Sequence, residues 1–318
     1  MRILIVGAGA LGGLYGALLA RAGNEVTVLA RGAALDTLRA DGLTLESPRY
    51  GTFTQPVRAI PDPTDAGPVD LIFIAVKSYD LDAAAQQIVP LVHDGVTVVA
   101  VQNGIEHPRK LAAVVGDAAL LPGVVIVSAT VPRPGTIQHV GGPALLQLGD
   151  IGVPNPERLA RIAAGFQETG APVETYSDLW PKLWTKFGFI AAMSGVTALT
   201  RLTLRQIFAV PETRRLYHDT IAEVVDVARA SGVELPDSTP ENMIAMVEGQ
   251  HPMPERGSMA YDLMAGRRIE ISALNGSVVR LGNDLGIATP INRVITAALL
   301  PYKDGASALS AWDEKSPL

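Results

Sequence analysis

Cysteine is absent from the sequence, so the chain forms neither disulfide bonds nor thiolate metal sites. Its five histidines are scattered, without ligand spacing or a nearby pair of acids, and we therefore predict no metal site. The longest apolar run after the N-terminal segment, residues 187–199, is shorter than the roughly 20 residues of a membrane span. A net charge of −6 disfavours nucleic acid, which binds basic faces. These deficits predict a soluble, cytoplasmic protein without a nucleic-acid or membrane partner.

The 318 residues are too many for one ordinary hydrophobic core, which favours two domains. Strand-like and helical patterns alternate as far as about residue 175, and only helical patterns follow. We predict an α/β chain: a doubly wound, Rossmann-type dinucleotide-binding domain over residues 1–173 and an all-helical substrate domain over residues 174–318. The predicted strands are 2–6, 25–30, 69–76, 96–101, several short strands within 124–148, and 171–175. The predicted helices are 10–22, 80–91, 154–169, 178–199, 211–231, 241–248 and 273–285.

A G-x-G-x-x-G motif follows the first predicted strand and opens the first predicted helix. This context is the one in which the motif binds the pyrophosphate of a dinucleotide. The first glycine permits the tight turn, the second lets the phosphates approach, and the third lets helix and strand pack closely. The helix N-terminus supplies amides and a positive dipole end for the phosphates. The predicted cofactor-binding residues here are Gly7, Ala8, Gly9, Ala10, Leu11 and Gly12.

The end of the second predicted strand bears on the choice between NAD and NADP. An NAD site expects an acid about 20 residues after the motif, but Arg31 occupies this place, and Ala30 and Gly32 beside it carry no charge. A guanidinium can hold a 2′-phosphate through charge-assisted hydrogen bonds. The alternative is an ordinary solvated arginine. We predict that the cofactor is NADP(H).

Along nearly its whole length the sequence resembles the ketopantoate reductase (2-dehydropantoate 2-reductase) family. The resemblance implies NADPH-dependent reduction of a 2-oxo acid to a 2-hydroxy acid, a step of pantothenate biosynthesis. The segments that carry the likeness are the glycine motif with Arg31, 75–78 (AVKS), 101–104 (VQNG), 180–183 (WPKL), 257–259 (GSM), 265–270 (AGRRIE), 275–276 (NG) and 286–290 (GIATP).

The resemblance also implies roles for individual residues. Lys182 matches the catalytic lysine and Glu270 the acid beside it, which also lies at the cofactor. Asn103 matches the asparagine at nicotinamide and substrate, Lys77 a lysine near the cofactor, and Ser258 a substrate-binding serine. By their patterns alone, Asn103 could be a turn residue, Lys77 a surface lysine and Ser258 a helix cap.

Lys182 and Lys186 are four residues apart and therefore share one helix face. An ammonium can stabilise and protonate the alkoxide that hydride transfer leaves on a ketone oxygen. Mutual repulsion and burial lower the pKa of such a pair, whereas Glu270 opposes that shift at Lys182. The alternative is that both lysines extend from an amphipathic helix into solvent.

Three positions depart from the family pattern, which has asparagines four, eight and eighteen residues after the catalytic lysine. Here these positions carry Lys186, Ile190 and Thr200. A different 2-oxo acid is therefore an alternative substrate, with Lys186 as a further substrate-binding residue. A non-catalytic NADP(H)-binding sensor is a second alternative, but it has no need of Lys182 and Glu270. The sequence leaves a homodimer open.

Overall fold

The computed structural model describes residues 1–152, 154–249, 253 and 255–306 of the chain. Its contacts divide the chain into two compact units. The first comprises residues 1–102 and 107–179, and the second comprises residues 103–106 together with the chain from residue 180 onward. Residues 174–179 belong to the first unit, since a strand that begins at Val173 pairs with its sheet.

The described residues of the first unit form ten strands and five α-helices. The strands are β1 (Arg2–Val6), β2 (Glu25–Leu29), β3 (Leu43–Ser47), β4 (Gly51–Gln55), β5 (Arg58–Ile60), β6 (Leu71–Ile74), β7 (Thr97–Ala100), β8 (Leu120–Arg133), β9 (Thr136–Gly149) and β10 (Val173–Tyr176). The helices are α1 (Ala10–Arg21), α2 (Gly32–Asp41), α3 (Leu81–Ile88), α4 (His107–Val115) and α5 (Pro156–Gln167).

The sheet runs in the order β4-β3-β9-β8-β7-β6-β1-β2-β5, and β10 pairs with β9. Strands β5, β2, β1, β6, β7 and β8 are parallel to one another, as in a doubly wound dinucleotide-binding sheet. Two antiparallel pairs, β3 with β4 and β8 with β9, make the whole sheet mixed. The predicted fold class is confirmed. Strands β9, β3 and β4 extend the sheet beyond β8.

Apolar residues cover both faces of this sheet. Along β1, Ile3 and Ile5 enter one core with residues of α1, whereas Leu4 and Val6 enter the core on the other face. A strand buried on both faces has a continuous apolar sequence, which is the pattern read in residues 2–6. Helix α1 is rich in Ala and Leu, which favour helix, and it ends before Gly23, whose φ is +86°.

The segment predicted as several short strands within 124–148 is instead one pair of long strands, β8 and β9. Residues 141–142 are a Gly-Gly pair, which is typical of a turn, but they lie within β9, where the pairing with β8 shifts register. Gly142 has a φ of +80°, which suits such an irregularity. The chain reverses at residues 134–135, a Pro-Gly pair of the kind that predicts a turn, where Gly135 has a φ of +73°. The hairpin of β3 and β4 and the short strand β5 were not predicted.

The second unit is helical in its described part, as predicted. Its helices are α6 (Trp180–Thr200), α7 (Leu204–Ala209), α8 (Pro211–Ala230), α9 (Thr239–Glu248), α10 (Ser258–Met264), α11 (Asn275–Leu285) and α12 (Pro290–Leu299). Helix α6 is buried along most of its length and packs against α8, α10 and α12. Two glycines permit close approach: a Cβ on Gly188 would meet Met243, and one on Gly195 would clash with Asn275.

A buried chain of polar side chains connects four helices of this unit. Asn275 donates through Nδ2 to the Ala191 carbonyl of α6 and to Asn292 Oδ1, at 3.2 and 2.9 Å. Asn292 Nδ2 in turn donates to the Glu223 carboxylate at 2.7 Å. The same carboxylate accepts the backbone amides of Ile291 and Asn292 at the start of α12, where the helix dipole favours an anion. These bonds fix α6, α8 and α12 to the first turn of α11.

Candidate active site

The glycine motif forms the turn between β1 and α1. Gly7 has a φ of +108°, and a Cβ there would lie 2.9 Å from backbone atoms of Ala75 and Val76. A Cβ on Gly12 would lie 2.0 Å from the Gly7 carbonyl oxygen. These two glycines therefore let the turn pack on itself and on the residues that follow β6.

Gly9 differs from its two neighbours in the motif. A Cβ at Gly9 would have no atom within 4 Å, so this position faces open space. Gly9 is the N-cap of α1, and no side chain caps the helix. The first-turn amides of a helix have no partner within it and are available to an anion. The turn therefore fits the pyrophosphate of a dinucleotide.

The motif also lies where strand order reverses. β1 pairs with β2 on one side and β6 on the other, and the chain connects outward from β1 in both directions. Ligands of doubly wound sheets bind outside the carboxyl ends of the strands at this switch point. Lys77 follows β6 at the same edge, as the N-cap of a short 3-10 helix (Ser78–Asp80), and is partly buried.

Arg31 lies two residues beyond the end of β2, as the N-cap of α2. It is exposed, and among the described residues it has no hydrogen bond or ion pair with another side chain. The structure thus places a solvated guanidinium after the second strand, at the position where an NAD site would carry an acid. This placement leaves both alternatives for Arg31 open.

The loop after β7 begins with two amides. Gln102 is buried, and its Nε2 donates to the Ile74 carbonyl at the end of β6, at 2.7 Å. Gln102 was not among the predicted site residues, although it precedes Asn103 directly. Asn103 is partly buried and begins the segment 103–106 that belongs to the second unit. Gly104, with a φ of +108°, brings this segment within contact of the Ala273 carbonyl oxygen.

Lys182 and Lys186 lie one turn apart on α6, and both are partly buried. Between and beside them, Trp184 and Phe187 are buried in an edge-to-face pair, with ring centroids 5.7 Å apart. Burial lowers the pKa of the Lys186 ammonium to about 8, and the charge of Glu270 acts in the opposite direction. The alternative of two solvent-extended lysines therefore does not describe Lys186.

Glu270 is buried, at 5% exposure, in the turn that precedes α11. Its backbone carbonyl accepts the amides of Ala273 and Leu274, each at 3.0 Å, which fixes the turn. Its carboxylate is close enough to Lys186 to raise that lysine's pKa. The structure thus places the Glu270 carboxylate near the Lys186 ammonium, and the pairing of Glu270 with Lys182 stays a prediction.

Ser258 is exposed and is the first residue of α10. The N-cap is Gly257, and no side chain caps the helix, so the helix-cap alternative for Ser258 is wrong. Gly257 itself is buried against α6, where a Cβ would lie 2.6 Å from the Ser194 Cα. Because Gly257 packs against α6, Ser258 lies close to that helix, yet Ser258 itself is exposed.

The two other departures from the family pattern also lie on α6. Ile190 is partly buried and offers no hydrogen bond from its side chain. Thr200 donates its hydroxyl to the Val196 carbonyl at 2.7 Å and accepts the Leu202 amide at 3.2 Å. Its hydroxyl is therefore already used to terminate the helix.

Among the described residues, no three His, Asp or Glu side chains are grouped as metal ligands would be. In the same part of the chain, no helix has the length and apolar character needed to cross a membrane.

Taken together, the first unit has the fold and glycine turn of a dinucleotide-binding domain, and the second is a helical unit with a lysine pair and a buried acid. This combination defines a two-unit chain of the dinucleotide-binding oxidoreductase class. Two family models match: "Ketopantoate reductase PanE/ApbA" over residues 3–152 and "Ketopantoate reductase PanE/ApbA C terminal" over residues 178–303. The chain belongs to the ketopantoate reductase family, whose members are oxidoreductases that act on 2-oxo acids.

Individual relatives agree with this assignment. A 2-dehydropantoate 2-reductase of Mesorhizobium japonicum is 32% identical, with 91% of this chain and 94% of the relative covered. A crystal structure of a PanE/ApbA family ketopantoate reductase from Ralstonia eutropha is 33% identical, with a TM-score of 0.86 and coverage of 95% and 98% of the two chains. D-mandelate dehydrogenase, solved with NADH and anilino(oxo)acetate, has a TM-score of 0.88 at 22% identity, with 95% and 98% covered, a likeness of fold alone.

Proposed function

We propose that this protein is an NADPH-dependent 2-oxo acid reductase that converts 2-dehydropantoate to pantoate in the cytoplasm, as a step of pantothenate biosynthesis. The observation that carries the proposal is the grouping of Lys186 and Glu270 within the second unit, one helical turn from Lys182. A partly buried ammonium beside a buried carboxylate suits a site that receives an anionic substrate and develops negative charge on oxygen.

In this proposal the first unit holds the cofactor. The glycine turn receives the pyrophosphate at the N-terminus of α1, and Arg31 receives the 2′-phosphate of NADPH. Lys77 follows the neighbouring strand and adds a cation at the same sheet edge. Bound NADPH supplies a hydride for the substrate carbonyl carbon.

The second unit supplies the proton. As the carbonyl becomes an alkoxide, the Lys182 ammonium stabilises the charge and donates a proton to that oxygen, which gives the 2-hydroxy acid. The neutral lysine then regains its proton from water. Asn103 orients the carbonyl, and Ser258 binds the distal part of the acid. Glu270 favours the charged form of Lys186.

A different 2-oxo acid is the second candidate substrate, and Ile190 favours it. An isoleucine cannot pair with the hydroxyl of 2-dehydropantoate, and a hydroxyl buried without a partner costs about 1–3 kcal/mol. Thr200 does not replace this contact, since its hydroxyl is bonded to the Val196 carbonyl and the Leu202 amide at the C-terminal end of α6. Lys186 instead suits the carboxylate that all 2-oxo acids share. We therefore expect a site that demands the 2-oxo carboxylate and discriminates weakly for the distal hydroxyl.

The test is NADPH oxidation with a panel of 2-oxo acids that includes 2-dehydropantoate and 2-oxoisovalerate, which lacks the hydroxyl. Comparable kcat/KM values for these two would support the weak discrimination. A preference of about 10³-fold or more for 2-dehydropantoate would mean that other residues recognise the hydroxyl. If no acid were reduced while NADPH still bound, the proposal of an enzyme would be wrong. The alternative of a non-catalytic NADP(H)-binding protein would then stand.

A further inference from the structure

Arg280 of α11 donates to two separate segments of the second unit. Its Nη2 atom donates to the Glu106 carboxylate at 2.5 Å and to the Ser272 carbonyl at 2.9 Å. The two residues of the ion pair are 174 positions apart in sequence, so no local sequence pattern predicts the contact. The Arg280 side chain is 48% exposed and that of Glu106 is 25% exposed.

Each partner of Arg280 is close in sequence to a residue of the proposed site. Glu106 ends the segment 103–106, which begins with Asn103. Ser272 lies two residues after Glu270, in the turn whose amides bond to the Glu270 carbonyl. The guanidinium therefore joins the segment that carries Asn103 to the turn that carries Glu270.

The contact at Gly104 brings the two segments together at a second point. A Cβ at Gly104 would lie 3.0 Å from the Ala273 carbonyl oxygen, so the backbones already approach closely. From the first turn of α11, Ser277 donates to the Ala273 and Leu274 carbonyls, at 2.9 and 2.8 Å. The turn is thus internally fixed, and the segment 103–106 rests on it through Gly104 and through the Arg280–Glu106 pair.

We propose that Arg280 is a positioning residue, which through Glu106 sets the place of Asn103 relative to Glu270. This inference rests on the proposed reductase function of the same site. Displacement of an orienting group by about 1 Å can cost on the order of 10²-fold in rate. An exposed ion pair, by contrast, contributes little to stability. The pair should therefore affect turnover much more than folding.

The test compares Arg280→Ala, Glu106→Ala, the double variant and Arg280→Lys, with a 2-oxo acid that the unaltered protein reduces. Each alanine variant should lower kcat by about 10- to 100-fold. The double variant should be no slower than the worse single variant, because both remove one interaction. Arg280→Lys keeps a cation in reach and should recover most of the rate. Arg214→Ala is the matched control, since it breaks the exposed Arg214–Glu248 pair of the same unit and should leave kcat unchanged.

Thermal unfolding of every variant separates positioning from folding. The midpoint should fall by no more than about 4 °C, as expected for an exposed pair. Should Arg280→Ala unfold, Glu106→Ala carries the test, since it leaves the contact of Arg280 with Ser272 in place. Turnover of Glu106→Ala within about twofold of the unaltered protein, or additive losses in the double variant, would overturn the inference.

Hydrogen exchange keeps the outcome distinct from that of the proposed function. Faster exchange of the amides of residues 103–106 in Glu106→Ala than in Arg214→Ala would show that the Arg280–Glu106 pair holds this segment in place. This result would support the inference even if no 2-oxo acid were reduced. Unchanged exchange in those amides would overturn the inference, whatever reaction the protein catalyses.

Discussion

The Lys186 ammonium and the Glu270 carboxylate act on each other within the second unit: burial lowers the pKa of Lys186 to about 8, and the charge of Glu270 limits that shift. The ordinary value for a lysine is 10.5. Lys186 thus changes charge close to physiological pH, which an exposed lysine does not do. This titration provides a direct route to testing the site.

The first prediction concerns pH. Above its pKa the Lys186 amine is neutral and can no longer attract the substrate carboxylate. For the free enzyme, kcat/KM for a 2-oxo acid should therefore fall by about tenfold per unit above about pH 8. Lys186→Arg, which stays charged, should remove this fall. A profile of kcat/KM without an alkaline decrease up to about pH 10 would contradict the assignment.

Glu270→Gln tests the other half of this pair. The neutral amide no longer favours the charged lysine, so the pKa of Lys186 should be lower and the alkaline decrease should begin at a lower pH. The position of the decrease is compared, not the rate, since Glu270 also belongs to the proposed catalytic set. An unmoved decrease would show that the carboxylate does not control Lys186.

The next prediction concerns Lys182 as proton donor. Lys182→Ala should lower kcat by about 10²–10⁴-fold, the usual contribution of a general acid. The dissociation constant of NADPH should change little, because Lys182 is assigned to proton transfer and not to cofactor binding. Lys303→Ala, at an exposed lysine of the same unit, is the control. A Lys182→Ala variant that keeps most of its turnover would return this lysine to a structural role.

The glycine turn gives a matched pair of variants. Gly12→Ala places a methyl group 2.0 Å from the Gly7 carbonyl oxygen and should lower the unfolding midpoint as well as NADPH affinity. Gly9→Ala meets no protein atom and should leave the midpoint unchanged while it weakens NADPH binding. Calorimetric titration and thermal unfolding measure both. Full NADPH affinity in Gly9→Ala would falsify the phosphate site at this turn.

A further prediction concerns the part of Arg31 in cofactor preference. We expect NADPH to bind more tightly than NADH, and Arg31→Ala to reduce this preference by about 1–3 kcal/mol, the scale of a lost charged hydrogen bond. Arg133→Ala, another exposed arginine of the first unit, should leave the preference intact. Equal dissociation constants of the two cofactors for the unaltered protein would contradict the prediction.

Strand β1, the glycine turn and helix α1 were predictable because their signals are local. Residues 2–6 form a continuous apolar run, Gly7 begins the turn, and α1 follows at Ala10 as expected. The interior of β9 was not predictable in this way. Its glycines at 141–142 resemble a turn, but pairing with β8 absorbs them as an irregularity within a long strand.

Among the site residues, too, local spacing was predictable and contacts between distant segments were not. The lysines of α6 share a face by their spacing alone, and their chemistry suggests an anionic substrate. That the Glu270 carboxylate acts on the charge of Lys186 depends on how the turn before α11 packs, which spacing along the chain does not specify. Likewise, the sequence does not specify that the hydroxyl of Thr200 bonds to the backbone at the C-terminal end of α6 and not to a substrate.

The sequence by itself determined the periodic elements, the glycine turn and the absence of cysteine chemistry, because backbone conformation and hydrophobic periodicity depend on near neighbours. Only the tertiary structure decided the burial of Lys186, the place of the β3–β4 hairpin beside β9 and the bond from Arg280 to Glu106. These features depend on contacts between distant segments, and pKa values and ion pairs follow from the surroundings that such contacts create.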